Sequence, residues 1–232
     1  MSFFNFRWLQ RIDMSDEHRS GGARPAVNGR GVPVAARTGP LELIAGKHLL
    51  VLADVENLSI SAGDLGRHLR YDSLATLLAA SAGRVDGHAF FTRQAGDTRL
   101  SQEFEEIGWT PHPRDVQLVR YYGGIKRFAN SDHNLCFGAG ALVASAPYDL
   151  IVIASGDGAL GCDLAAAITG AVGAGVATMS LAGSTSHRLR AGENPDILAN
   201  IEIGIDCLPL RSDQRGCPAP APLGESRFAY AF

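Results

Sequence analysis

Spacings that would hold zinc are missing from this sequence: its seven histidines include no HxxxH or HxH pair, so a zinc site is not supported. Cysteine is scarce as well. Cys136, Cys162, Cys207 and Cys217 form no CxxC and lie in apolar or Pro-rich surroundings, which reads as reduced thiols in a cytoplasmic protein. Nothing approaches the roughly 18 uninterrupted apolar residues of a membrane span. The apolar start MSFFNFRWL is broken by Arg7 and lacks a small-residue cleavage site, so neither membrane insertion nor secretion is expected. Positive charge is short where a nucleic-acid binder would need it. Residues 47–210 carry 12 basic and 18 acidic side chains, a net of −6, so general affinity for a phosphate backbone is poor. Any contact with nucleic acid there must run through a metal or a local Arg/Lys cluster.

What is present is apolar and periodic. Hydrophobic residues make up 46% of 232, enough for the core of one domain. Residues 12–46, rich in Gly, Pro, Ala and Arg without apolar period, extend a flexible leader expected over 1–46. Residues 211–232, with PAPAP and a terminal FAYAF, read as a tail. Between them, KHLLVLAD, RVDGHAFFT, YDLIVIAS and GVATMSLAG read as strands, separated by helical stretches such as DSLATLLAAS and ALGCDLAAAITGAVGA. That alternation predicts an α/β domain over 47–210, a three-layer α/β/α parallel sheet of Rossmann-like type with right-handed crossovers. Residues 114–130 read as irregular, and STSHRLRAG as the start of a late helix. The wholly apolar helices leave room for a homodimer, and the tails for a protein partner.

The chemistry gathers at strand ends. Lys47 to Leu58, KHLLVLADVENL, is an apolar run that stops at Asp54, Glu56 and Asn57. Its lack of period-2 alternation fits a strand covered on both faces, and parallel sheets bind ligands outside their carboxyl ends. Asp132 opens another helix and Asp157 follows the strand YDLIVIAS. If YDLIVIAS crosses back beside the first strand, Asp54 and Asp157 flank the topological switch point and form a carboxylate pocket for a hard cation. Glu56 and Asn57 would position water or substrate. Each residue also has a plainer reading: Asp157 as a helix N-cap, Asn57 as an Asx turn, Asp132 as an acid favoured by the helix dipole.

Asp54-Val55-Glu56-Asn57 after an apolar strand, Lys126 followed by Ser131-Asp132-His133, Ser155-Gly156-Asp157 after YDLIVIAS, and Asn194-Pro195-Asp196 occur in that order. As a set over about residues 47–208, they resemble the NYN domain family of PIN-like nucleases. The resemblance implies a PIN-like fold that cuts RNA with Mg2+ or Mn2+ held by clustered aspartates. Carried over, Asp54, Asp132 and Asp157 would be metal ligands, with Asn57 supporting the site. Two family acids are absent: Ala159 stands where a second Asp follows SGD, and Gly138 near where the Asp132 helix carries a further acid. The site is then either a thinner one-metal centre or an RNA-binding module that has lost catalysis.

Other patterns compete. Gly156-Asp157-Gly158-Ala159-Leu160-Gly161 matches GxGxxG, but the following strand ends without the acid that would bind ribose, and Asp157 would face a pyrophosphate. A haloacid dehalogenase-like phosphatase would use Asp54 as nucleophile, yet that family has an Asp two residues later where this chain has Glu56. For substrate contact the candidates are Lys126 and Arg127, in the densest basic group with Arg114 and Arg120, together with Ser155 of the SGD motif. Ser184 and Ser186 join them at a presumed helix start suited to phosphate.

Overall fold

The structure, a computed structural model, describes residues 40–122, 124–128, 131–190, 192–204 and 207–208. Six strands form one sheet: β1 (His48–Asp54), β2 (Arg84–Arg93), β3 (Thr110–Asp115), β6 (Leu150–Ala154), β7 (Gly175–Leu181) and β8 (Ala199–Ile203). Their order is β3-β2-β1-β6-β7-β8, and every neighbouring pair is parallel. Chain order runs outward from β1 in one direction, then returns to β6 on its other side. The edge between β1 and β6 is therefore the switch point, where loops diverge and leave a crevice.

Side-chain alternation along each strand feeds two cores. Leu49, Val51 and Ala53 of β1 pack with Ile44, Leu58, Leu74, Leu78 and Phe104, while Leu50 and Leu52 pack with Leu135, Ala139, Ala165 and Ile168. The first core lies under α1 (Pro40–Ile44), α2 (Val55–Asp64), α3 (Tyr71–Ser81) and α4 (Arg99–Glu106). The second lies under α5 (Ser131–Val143) and α6 (Gly158–Val172). Each buried Leu, Ile or Val contributes about 1.5–3 kcal/mol, so a central strand apolar on both faces is where the fold gains most. The three-layer α/β/α architecture is as the alternation of elements predicts. Among the described residues no helix is long and apolar enough to cross a membrane.

Four local expectations change. Of the leader expected over 1–46, Pro40–Ile44 is helical with Ile44 wholly buried, and residues 1–39 lie outside the described residues. So short a helix holds too few apolar residues to show a period. Helix α2 begins directly at Val55, with Asp54 as its N-cap, so Asn57 lies in a first helical turn and not in the Asx turn of its plainer reading. The stretch 114–130 is not irregular: β4 (Gln117–Tyr121) and β5 (Gly124–Phe128) pair as an antiparallel hairpin outside the main sheet. The late helix shrinks to a three-residue 3-10 turn, His187–Leu189, since Leu189 must bury itself and Arg190 is already extended. The tail 211–232 lies outside the described residues.

Candidate carboxylate site

Asp54 ends β1 at the switch point and is only 4% exposed. Its Oδ1 accepts the Asn57 N–H at 3.2 Å, capping α2, and its Oδ2 accepts the Ser155 hydroxyl at 3.1 Å. Ser155 in turn accepts the Asp157 N–H at 3.2 Å. Asn57 crosses the same gap in the other sense, its Oδ1 accepting the Gly156 N–H at 2.7 Å. The ends of β1 and β6 are thus tied by two side-chain bridges, and both motifs use part of their polar character to hold the crevice in shape.

The carboxylates share one field. Burial pushes the Asp54 carboxyl from an ordinary 3.8 up to about 6; the Asn57 and Ser155 hydrogen bonds oppose this, and Asp132 and Glu56 add to it. Asp132, exposed in the first turn of α5, is also raised, first by partial desolvation and then by Asp157 and Glu56, with His133 opposing. Asp157 is exposed and caps α6 through Oδ1, which accepts from Ala159 N at 2.7 Å and Leu160 N at 3.3 Å. Four acids from the ends of β1, α2, α5 and β6 therefore interact, and a cluster of like charge in a crevice favours a cation.

Glu56 is fully committed to structure. One of its oxygens accepts the Thr92 hydroxyl from the end of β2, and the other accepts the Ser131 hydroxyl at 2.8 Å. It ties α2 to β2 and to the start of α5, which sets where Asp132 sits. The Thr92 partnership carries no sequence signal, because the two residues lie 36 positions apart.

Donor chemistry fits a hard cation taken up by one or two carboxylates with water, which is the habit of Mg2+. A closed cage is not formed: among the described residues no three His, Cys, Asp or Glu side chains are grouped to hold a metal ion. The two positions where the resemblance would place further acids differ in their surroundings. A Cβ on Gly138 would stand 2.5 Å from the Phe90 ring, so α5 has surrendered that position to packing. Ala159 is exposed, and Asp163, one turn further along α6, is exposed rather than deep. Burial raises the Cys136 thiol, with Asp132 and Asp163 adding, which sets both acids around the α5–α6 seam.

The expected substrate contacts fare differently. Ser155 is wholly buried, donating its hydroxyl to Asp54 and accepting from the Asp157 N–H, so what the structure shows it doing is positioning Asp54. Ser184 donates its hydroxyl to the Leu181 carbonyl at 2.9 Å, and the Ser186 N–H donates to the Gly156 carbonyl at 3.2 Å. No helix of useful length follows them, so the phosphate-binding helix start does not exist. Lys126 and Arg127 lie on β5, but their side chains fall outside the described residues.

The same loop accounts for the glycines of GDGALG. A Cβ on Gly156 would meet the Ser184 carbonyl at 2.8 Å, one on Gly158 would collide with the Ser186 hydroxyl, and one on Gly161 would meet Leu189 at 2.6 Å. These glycines admit the loop after β7 rather than a pyrophosphate.

No family model and no curated protein matches the chain. Among solved structures it is similar to the crystal structure of a protein of unknown function from Vibrio parahaemolyticus RIMD 2210633, with a TM-score of 0.55 and 18% identity. The match covers 70% of this chain and 96% of that one. It is a likeness of fold.

Proposed function

We propose that the protein is a metal-dependent endoribonuclease, hydrolysing RNA phosphodiesters with Mg2+ or Mn2+ at the carboxylate cluster. The observation that carries this reading is the convergence of Asp54, Glu56, Asp132 and Asp157 on the β1–β6 switch point, where their mutual repulsion calls for a cation. A bound divalent ion supplies charge neutralisation for the phosphate and acidifies water. Asp54, Asp132 and Asp157 would hold it one or two at a time, with water completing the shell, because no three of these side chains are grouped around one point among the described residues. Ser155 and Asn57 keep the Asp54 carboxylate and the Gly156 turn in register, and Glu56 fixes the start of α5.

The test is cleavage of a single-stranded RNA by the purified protein with Mn2+. Wild type is expected to cut and Asp54→Asn to be inactive; equal cleavage by both would end the reading. Phosphate release from a small monoester, lost in Asp54→Asn, would replace it with the phosphatase alternative. One observation favours a second reading, an RNA-binding or regulatory module without turnover: Gly138 is filled by Phe90 and Ala159 offers no carboxylate. That reading predicts RNA binding with no metal-dependent cleavage.

A further inference from the structure

The loop after β7 carries an arginine whose backbone packs on α6. Cys162 of α6 donates its thiol to the Arg188 carbonyl at 3.5 Å, and Leu189 is wholly buried against Gly161. Gly158, the residue after Asp157, lies so close to the loop that a Cβ there would stand 3.5 Å from the Arg188 Cβ. The backbone is pinned on both sides, yet the Arg188 side chain is exposed, and among the described residues no carboxylate forms an ion pair with it. In a region with a net charge of −6, an exposed arginine whose Cβ packs against the residue following Asp157 is out of keeping with its surroundings.

Arg188 also borders a cleft of about 340 Å3, lined with it by Cys162, His187, Glu193, Asn194 and Pro195. That volume lies at the low end of the roughly 300–1,000 Å3 of small-ligand sites, room for one nucleotide and not for a duplex. The lining is bipolar. Arg188 and His187 offer charge and N–H donors at the loop. Glu193 offers acceptors, and Asn194, whose Oδ1 already accepts the Asp196 N–H at 2.9 Å, offers its amide N–H groups. A nucleotide presents the matching pair: a phosphate, and a base edge with both donors and acceptors that is readable only in single strands.

We infer that this cleft seats the nucleotide adjoining the cleaved bond, with Arg188 as the anchor for its phosphate. The inference rests on the ribonuclease reading for its substrate, and it assigns to the loop after β7 the electrostatic handle that the sequence placed on Lys126 and Arg127. The loop then has two jobs in one short stretch: it packs on the glycines of α6, and it delivers a guanidinium to the mouth of the site.

The experiment uses the full chain and a short fluorescein-labelled single-stranded RNA. Anisotropy in EDTA reads binding, and Mn2+-dependent cleavage reads turnover. Arg188→Ala is expected to weaken binding about tenfold and to lower the slope of log affinity against log salt by about one, as loss of a single phosphate contact does. In cleavage the loss should fall on KM more than on kcat, and Arg188→Lys should recover most of it. Binding that weakens in Arg188→Ala while no variant cleaves would uphold the cleft and remove the nuclease. Cleavage with affinity, salt slope and KM unaltered in Arg188→Ala would overturn the cleft and leave the nuclease. Absence of RNA binding by the wild type would overturn the cleft as well.

Discussion

Replacing Asp54 by asparagine should stabilise the metal-free protein at neutral and alkaline pH. The folded state holds the Asp54 proton up to about pH 6, whereas an unfolded chain releases it near the ordinary 3.8. Between those values the native state binds more protons than the unfolded state, so stability falls as pH rises, and above about 6 the full cost persists. A difference of about 2 in pKa corresponds to about 3 kcal/mol. The asparagine that replaces Asp54 would carry no charge while keeping an oxygen for the Asn57 N–H. The Ser155 hydroxyl can turn to accept from the new amide, because its oxygen has a second lone pair beside the one used by Asp157 N–H. Weaker neutral hydrogen bonds take back part of the gain, leaving about 1–3 kcal/mol. For a domain of this size that is several degrees in Tm, at about 2–4 °C per kcal/mol. Urea unfolding in EDTA at pH 8 and again below pH 4 checks it. The advantage of Asp54→Asn should be clear at pH 8 and near zero in acid. Burial and the neighbouring His112 lower His88 to about 4, a depressed histidine that destabilises the fold as pH falls from 6.5 towards 4, but both proteins carry it and the difference cancels it. A variant less stable than wild type at pH 8, or an advantage that does not change with pH, would refute the electrostatic account of this site.

Two further sets of substitutions probe the frame around the cluster. Glu56→Ala strands the Thr92 and Ser131 hydroxyls and should cost about 1–3 kcal/mol in urea unfolding, with weaker Mn2+ binding by calorimetry because α5 loses its tether. Gly138→Asp and Ala159→Asp each restore an acid that the family pattern expects, with opposite outcomes. The former collides with Phe90 and should destabilise by about 1–3 kcal/mol, whereas the latter, at an exposed position of α6, should fold normally and raise Mn2+ affinity. Equal tolerance of both would mean that Phe90 moves aside easily and that Gly138 was not given up to packing.

The parallel sheet could be read from the chain because its signal is local. Leu49 to Ala53 and Leu150 to Ala154 are apolar without alternation, and runs this short and this apolar suit a strand covered on both faces. Placing Asp54 and Asp157 on one edge followed from topology alone. What stayed hidden depends on contacts between distant residues. Glu56 looked like a candidate for positioning water until Thr92 and Ser131 were seen to occupy both its oxygens. Ser155 stood as a candidate substrate contact because it sits in the SGD motif, yet it is buried and bonded to the carboxylate it supports. The β4–β5 hairpin escaped notice because its strands are only five residues each and pair with one another outside the main sheet.

The glycines of GDGALG show why a pattern can be right in position and wrong in meaning. A close backbone approach at the start of α6 demands glycine whether the approaching group is a pyrophosphate or another loop, so spacing alone cannot tell them apart. Here the approaching groups are Ser184, Ser186 and Leu189. Asp157 is then no obstacle, because the loop fills the space above its helix turn, and its Oδ1 caps α6 while its charge still acts on Asp132. The same close approach puts the Arg188 backbone against α6, and in the nucleotide cleft proposed above that approach is what supplies the loop's guanidinium to the substrate. Positive charge for an RNA backbone can therefore arise in a region that is acidic overall, provided a few small residues let one basic loop come close.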